Sequence, residues 1–128
     1  MIVDACPLLS VIFQEPRALE VLKVLESPPS SPLITRVNML EVYLTACDKH
    51  NVPVEDIDKI FRGYTIDTGG DANMSVLMEA KAKYRGLNFG DLFVYEAAKR
   101  LDMPVLTLDG GFAKCDLEFL VPPKLPKD

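Results

Sequence analysis

Histidine and cysteine are scarce in this sequence: His50 stands alone, and the three cysteines, Cys6, Cys47 and Cys115, lie far apart with no C-x-x-C pair among them. A zinc site of imidazoles and thiolates needs clustered ligands, and Cys/His catalysis needs a histidine partner, so neither chemistry is expected. Positive charge is also in short supply. The net charge of −5 and pI near 4.9 leave no broad basic surface of the kind a general nucleic-acid binder carries. Long apolar runs are missing as well. Asp4 interrupts the apolar start, and no run approaches the roughly 18 residues of a membrane span, so neither a secretory signal nor a membrane segment is expected and the cytoplasm is the expected location.

What is present suits a small packed core. A chain of 128 residues, 48% hydrophobic and 26% charged, can fold as one domain over residues 1–128 without disulfides or structural metal. Ile2 and Val3 read as a short strand closed by Asp4, with a helix begun at Pro7. Arg17 to Glu26 carries Leu19, Val21, Leu22 and Leu25 at helical spacing, and the proline-rich stretch 27–32 stops it. Leu33 to Thr35 is a second strand. Val37 to Asp48 reads as a helix apolar nearly all round, with Val37, Leu40, Leu44 and Cys47 as one stripe, which predicts a central position or a dimer interface.

Pro53 opens a further helix with Val54, Ile57, Ile60 and Phe61 inward, and Tyr64 to Ile66 reads as a strand. Asp71 is the expected cap of a helix running to Tyr84, and Asn88 of one running to Leu101. Val105 to Leu108 forms the last strand, before a peripheral proline-rich tail from Pro122. Strands alternating with helices predict an α/β fold, a small central parallel sheet flanked by helices on both faces. Ligands then bind beyond the carboxyl ends of the strands, where Asp4 and Asp109 both emerge.

Four acids draw attention for different reasons. Glu41 falls among apolar neighbours, where a carboxylate needs a donor or cation; Arg36 and Asn38 are the nearby candidates. Asp91 fits a capping box begun at Asn88, yet Gly90 is a poor residue for a first helical turn unless the backbone approaches something closely. Asp109 can start the turn Asp109-Gly110-Gly111, and Asp4 can cap a helix. Together they can converge at one sheet edge, where carboxylates and water suit a hard cation such as Mg²⁺ or Mn²⁺. Such an ion activates water for attack on a phosphodiester.

These segments carry a resemblance over nearly the whole chain. Ile2-Val3-Asp4-Ala5-Cys6-Pro7-Leu8-Leu9, Asn38-Met39-Leu40-Glu41-Val42, Asn88-Phe89-Gly90-Asp91-Leu92-Phe93-Val94-Tyr95 and Pro104-Val105-Leu106-Thr107-Leu108-Asp109-Gly110-Gly111-Phe112 resemble the acidic motifs of PIN-domain ribonucleases, most closely the VapC-type toxins of prokaryotic toxin–antitoxin pairs. The resemblance implies a single PIN-like domain and a Mg²⁺- or Mn²⁺-dependent ribonuclease. It assigns Asp4, Glu41, Asp91 and Asp109 to the metal-binding catalytic site, with Asn38 and Thr107 in support. It also implies a homodimer, an RNA substrate and inhibition by a small protein antitoxin. Cys6 departs from the family, which often has a small hydroxyl residue there, so a support hydrogen bond to Asp4 is expected to be weak or missing. Asp116 competes with Asp109 for the role of fourth acid.

Lys81, Lys83 and Arg85, just before the third motif, are candidates for a basic rim that meets RNA, or else a solvated helix end favoured by the helix dipole. Two other readings stay beside the nuclease. One is a PIN-like protein that binds RNA or a partner without cutting, which the four acids weigh against. The other is an aspartate-nucleophile phosphatase, which typically shows a second acid two residues after the first; Cys6 stands there.

Overall fold

The computed structural model describes residues 1–27 and 31–122. Much of the proline-rich stop at 27–32, and the tail beyond Pro122, lie outside the described residues. Four short strands, β1 (Ile2–Val3), β2 (Leu33–Thr35), β3 (Thr65–Asp67) and β4 (Val105–Leu106), form one parallel sheet in the order β3-β2-β1-β4. In register, Ile2 stands opposite Leu33 on one side and Val105 on the other. The edge of β4 is covered in turn, because Val105 N donates to Glu118 O at 2.8 Å and Leu120 N to Val105 O at 3.0 Å.

Alternation along these strands divides the core in two. Val3, Ile34 and Leu106 join the cluster under α1 (Ala5–Ile12), α2 (Ala18–Glu26), α3 (Arg36–Tyr43) and α4 (Val54–Phe61). Ile2, Leu33 and Val105 join the opposite cluster, under α5 (Met74–Lys83) and α6 (Phe89–Leu101). Successive strand side chains point to opposite faces, and apolar residues at both parities are what a sheet covered on both faces requires. The chain steps outward from β1 to β2 to β3 and returns beyond β1 as β4. The strand order therefore reverses between β1 and β4, and the crevice at their carboxyl ends is where such sheets take ligands.

Several boundaries differ from the expectations, for local reasons. The first helix begins at Ala5 rather than Pro7, because Asp4 caps it. Asn73, not Asp71, caps α5 by accepting from Ser75 N and Val76 N. The third strand is Thr65–Asp67, one residue on from the expected span, and β4 stops at Leu106 because Thr107 turns its hydroxyl to Asp4. The expected helix Val37 to Asp48 is α3 followed by a π-turn, Leu44–Lys49. Its buried face is Asn38, Val42 and Ala46, whereas Leu40 and Leu44 of the expected stripe are 56% and 51% exposed. One polar residue, Asn38, sits where the core face meets the sheet edge, and that rotates the reading of the helix.

Candidate metal centre

Asp4 leaves β1 at the reversal point and is held from several directions. Its Oδ1 accepts from Ala5 N at 2.8 Å, and its Oδ2 accepts from the Thr107 hydroxyl at 2.8 Å. Thr107 Oγ1 in turn accepts from Asp109 N at 3.1 Å, so one hydroxyl links the first acid to the loop of the last. The Cys6 thiol also points at Asp4 Oδ2, at 3.4 Å. Burial, with the Asp4 charge beside it, pushes the Cys6 thiol well above its ordinary pKa, so it stays a proton donor. The support lost with a hydroxyl at residue 6 is thus met by Thr107, with Cys6 adding a longer, weaker contact. Burial also raises the pKa of Asp4; the three donors oppose the shift and the charge of Asp109 adds to it.

Asp91 does what both readings of its motif require. Asn88 Oδ1 accepts from Asp91 N and Asp91 Oδ2 from Asn88 N, each at 2.9 Å, which completes the capping box of α6. The same carboxylate faces Asp4 and Asp109. Burial drives its pKa from 3.8 to about 8, against the Asn88 N–H and with added repulsion from Asp4 and Asp109.

Glu41 is tied to Asn38, not to Arg36, which is exposed. The buried Asn38 amide donates to Glu41 Oε1 at 2.9 Å and Gly90 O at 3.2 Å, with Asp4 Oδ1 at 3.5 Å. Thr35 sets its orientation. The Thr35 hydroxyl donates to Asn38 Oδ1, which turns the NH₂ end toward the carboxylates, and it accepts from Asn38 N as the cap of α3. Gly90 owes its lack of a side chain to this meeting of α3 and α6. A β-carbon there would lie 1.9 Å from Glu41 Oε1.

One oxygen each from Asp4, Asp91 and Asp109 lies within 4.8 Å of the others. Glu41 stands outside that triangle but close enough that Asp4 and Asp109, after burial, raise its pKa. Asp116 is elsewhere. Its carboxylate accepts from the Tyr84 and Tyr95 hydroxyls and from Lys99, which hold its pKa well below the usual carboxylate range. The structure therefore brings Asp109, not Asp116, to Asp4 and Asp91. The donor set is all oxygen, compact and mutually repulsive, and it fits a hard divalent cation.

Of the three candidate rim cations, Lys81, in the last turn of α5, is turned inward to the Leu87 and Arg85 carbonyls, at 2.6 and 3.2 Å. Lys83 and Arg85 are exposed. Two features had weaker signals in the sequence. Thr35 precedes Asn38 by three residues, the spacing of a cap. Gly86 and Gly111 pack backbone to backbone, a β-carbon on Gly111 falling 2.7 Å from Gly86 O, which seats the Asp109 turn against the loop before α6. A lone glycine in each loop could equally have marked a turn.

Comparison with known proteins bears on the family and the fold. The PIN domain family model matches residues 1–117. A search of curated protein sequences finds no match. Among solved structures, a toxin–antitoxin complex from Klebsiella pneumoniae contains a chain of similar fold, with a TM-score of 0.76, 18% identity and 98% of each chain covered.

Proposed function

This chain belongs to the PIN-domain family, and on that premise we propose that it is a Mg²⁺- or Mn²⁺-dependent endoribonuclease acting as the toxin of a toxin–antitoxin pair. The observation that carries the reading is the convergence of Asp4, Asp91 and Asp109 at the strand-reversal point, with Glu41 alongside. Asp4, Asp91 and Asp109 would hold the cation, and Glu41 would complete the set. When bound, a divalent cation activates water and stabilises charge developing on the phosphodiester. The protein's own groups do the positioning. Asn88 N fixes Asp91, Thr107 fixes Asp4, and Gly111 N fixes Asp109 at 2.9 Å. Asn38 holds Oε1 of Glu41, leaving Oε2 free to accept a proton from an attacking water, a task that its raised pKa favours.

Two partners belong to the same proposal. The exposed Leu40 and Leu44 on the α3 segment support a homodimer, and the likeness to a toxin–antitoxin complex supports a small protein antitoxin that covers the acidic groove. Among the described residues no helix is long and apolar enough to cross a membrane, consistent with a cytoplasmic RNA substrate. The test is cleavage of single-stranded RNA by purified protein in Mg²⁺, Mn²⁺ or chelator, with end mapping. Water as nucleophile gives 5′-phosphate and 3′-hydroxyl ends. Undiminished cutting in chelator, or 2′,3′-cyclic ends, would overturn the mechanism.

A further inference from the structure

An acidic protein that cuts a polyanion must still hold it somewhere. Cations can do so only where they are exposed and not already neutralised. Among the described residues, Lys23, Arg36, Lys49, Lys59, Arg62, Lys83, Arg85 and Lys114 are exposed and enter no ion pair, and of these Lys83, Arg85 and Lys114 lie on the two segments that meet beside Asp109. They do not lie on one element. Lys83 ends α5, Arg85 follows it, and Lys114 follows the turn Gly110–Phe112 that Asp109 caps.

The Gly86–Gly111 contact brings those segments together. Arg85 adjoins Gly86, whose carbonyl packs on Gly111, and Gly111 N is bonded to Asp109 Oδ1, so the segments that carry the three cations meet beside the last acid. Lys83 Nζ lies 5.3 Å from the centroid of the Tyr84 ring, whose hydroxyl donates to Asp116. Asp116 in turn is matched by Lys99, leaving Lys83, Arg85 and Lys114 as the surplus positive charge of this rim. Cys115 lies in the same neighbourhood: burial raises its thiol's pKa, Asp116 and Asp91 add to the shift, and Lys83 and Lys99 oppose it.

Resting on the nuclease reading above, we propose that Lys83, Arg85 and Lys114 form the phosphate-binding rim of the site, so that the RNA backbone leaves the carboxylates across the Gly86–Gly111 contact. Lys81 has no part in it, being bound to backbone carbonyls. The partner is single-stranded RNA held through its phosphates, with no base readout in this strip.

The experiment measures binding of a fluorescent single-stranded RNA in Mn²⁺ from low to moderate salt, with every protein carrying Asp91→Asn so that the probe is not cut. Lys83→Glu/Arg85→Glu/Lys114→Glu should weaken binding at least tenfold at low salt. It should also flatten the dependence of log K on log salt by about 2, the share of three contacts to a single strand. A control of equal charge change, Lys23→Glu/Lys49→Glu/Lys59→Glu, uses exposed lysines on other elements and should stay near the parent. The alanine version of the rim triple, gentler on the end of α5, should shift affinity the same way by a smaller factor. Equal losses in rim and control, no loss in the rim, or no RNA binding by the Asp91→Asn parent would each overturn the proposal. Cleavage by the wild-type chain is scored separately, so a rim that fails in a protein that still cuts RNA leaves the nuclease reading standing.

Discussion

Gly90 and Glu41 occupy each other's space: a β-carbon on Gly90 would sit 1.9 Å from Glu41 Oε1 and 2.8 Å from its Cδ. The obstructing atoms are the far end of a side chain, so Gly90→Ala can fold by swinging the carboxylate away. Alanine is also the better helix former, by up to about 1 kcal/mol. Gly90→Ala is therefore expected to melt no lower than the parent by more than that amount, while losing at least tenfold in Mn²⁺ affinity and most RNA cleavage. Calorimetric titration with Mn²⁺ checks this; parent-like affinity would show that Glu41 does not serve the metal.

Asp91→Asn separates capping from catalysis. An asparagine oxygen can still accept from Asn88 N, so the cap is kept, while one negative charge leaves a buried, repulsive cluster. The variant is expected to be folded, with a melting temperature in chelator equal to or above the parent's. Metal binding should be weak and cleavage absent. Near-normal cutting by the purified variant would remove Asp91 from the centre.

The metal-free protein should lose stability as pH rises. Asp91 titrates near 3.8 when unfolded and at about 8 when folded, chiefly through burial. A raised folded pKa gives stabilisation that is complete below the unfolded value and is lost as pH climbs through the folded one. Asp4 and Glu41 are shifted the same way. Asp116 is shifted oppositely, but its contribution is lost only as pH falls below the usual carboxylate range. Melting in chelator should therefore fall between about pH 4 and pH 8, with a shallower slope in Asp91→Asn. A melting temperature that rises across this window contradicts the assignment.

Asn38→Asp would keep an acceptor for Thr35 and place an oxygen against Glu41 Oε1 and Gly90 O, where an N–H now donates. A buried carboxylate facing two acceptors costs on the order of 3 kcal/mol. The loss should be largest in chelator near pH 8 and partly recovered at pH 5 or with Mn²⁺. Equal destabilisation under all three conditions would make Asn38 a packing residue alone.

The parallel sheet and the family were legible because β1 and β4 are short, apolar and followed by Asp4 and Thr107, and because Asn88 and Gly90 mark a helix start with an unusual second residue. The inward face of α3 was not. Its apolar residues surround the helix, so periodicity could not single out a face that is built on the buried amide of Asn38. The sequence leaves Lys81 between a basic rim and a helix end for a related reason, since a lysine in a last helical turn looks the same in sequence whether it meets solvent or the carbonyls of the next loop, as it does here. The sequence favours Asp109 over Asp116 because Asp109 follows the last strand; what occupies Asp116 was not legible, since Tyr84, Tyr95 and Lys99 meet it only in three dimensions.

The strand reversal that joins β1 to β4 also sets when the centre can exist. Asp4 is made well before Asp109, and the helices bringing Glu41 and Asp91 pack on opposite faces of the sheet and meet only past its edge. A chain still missing its final strand lacks Asp109, the Thr107 hydroxyl that steadies Asp4, and the turn that seats against Gly86. A half-made copy therefore has no complete site.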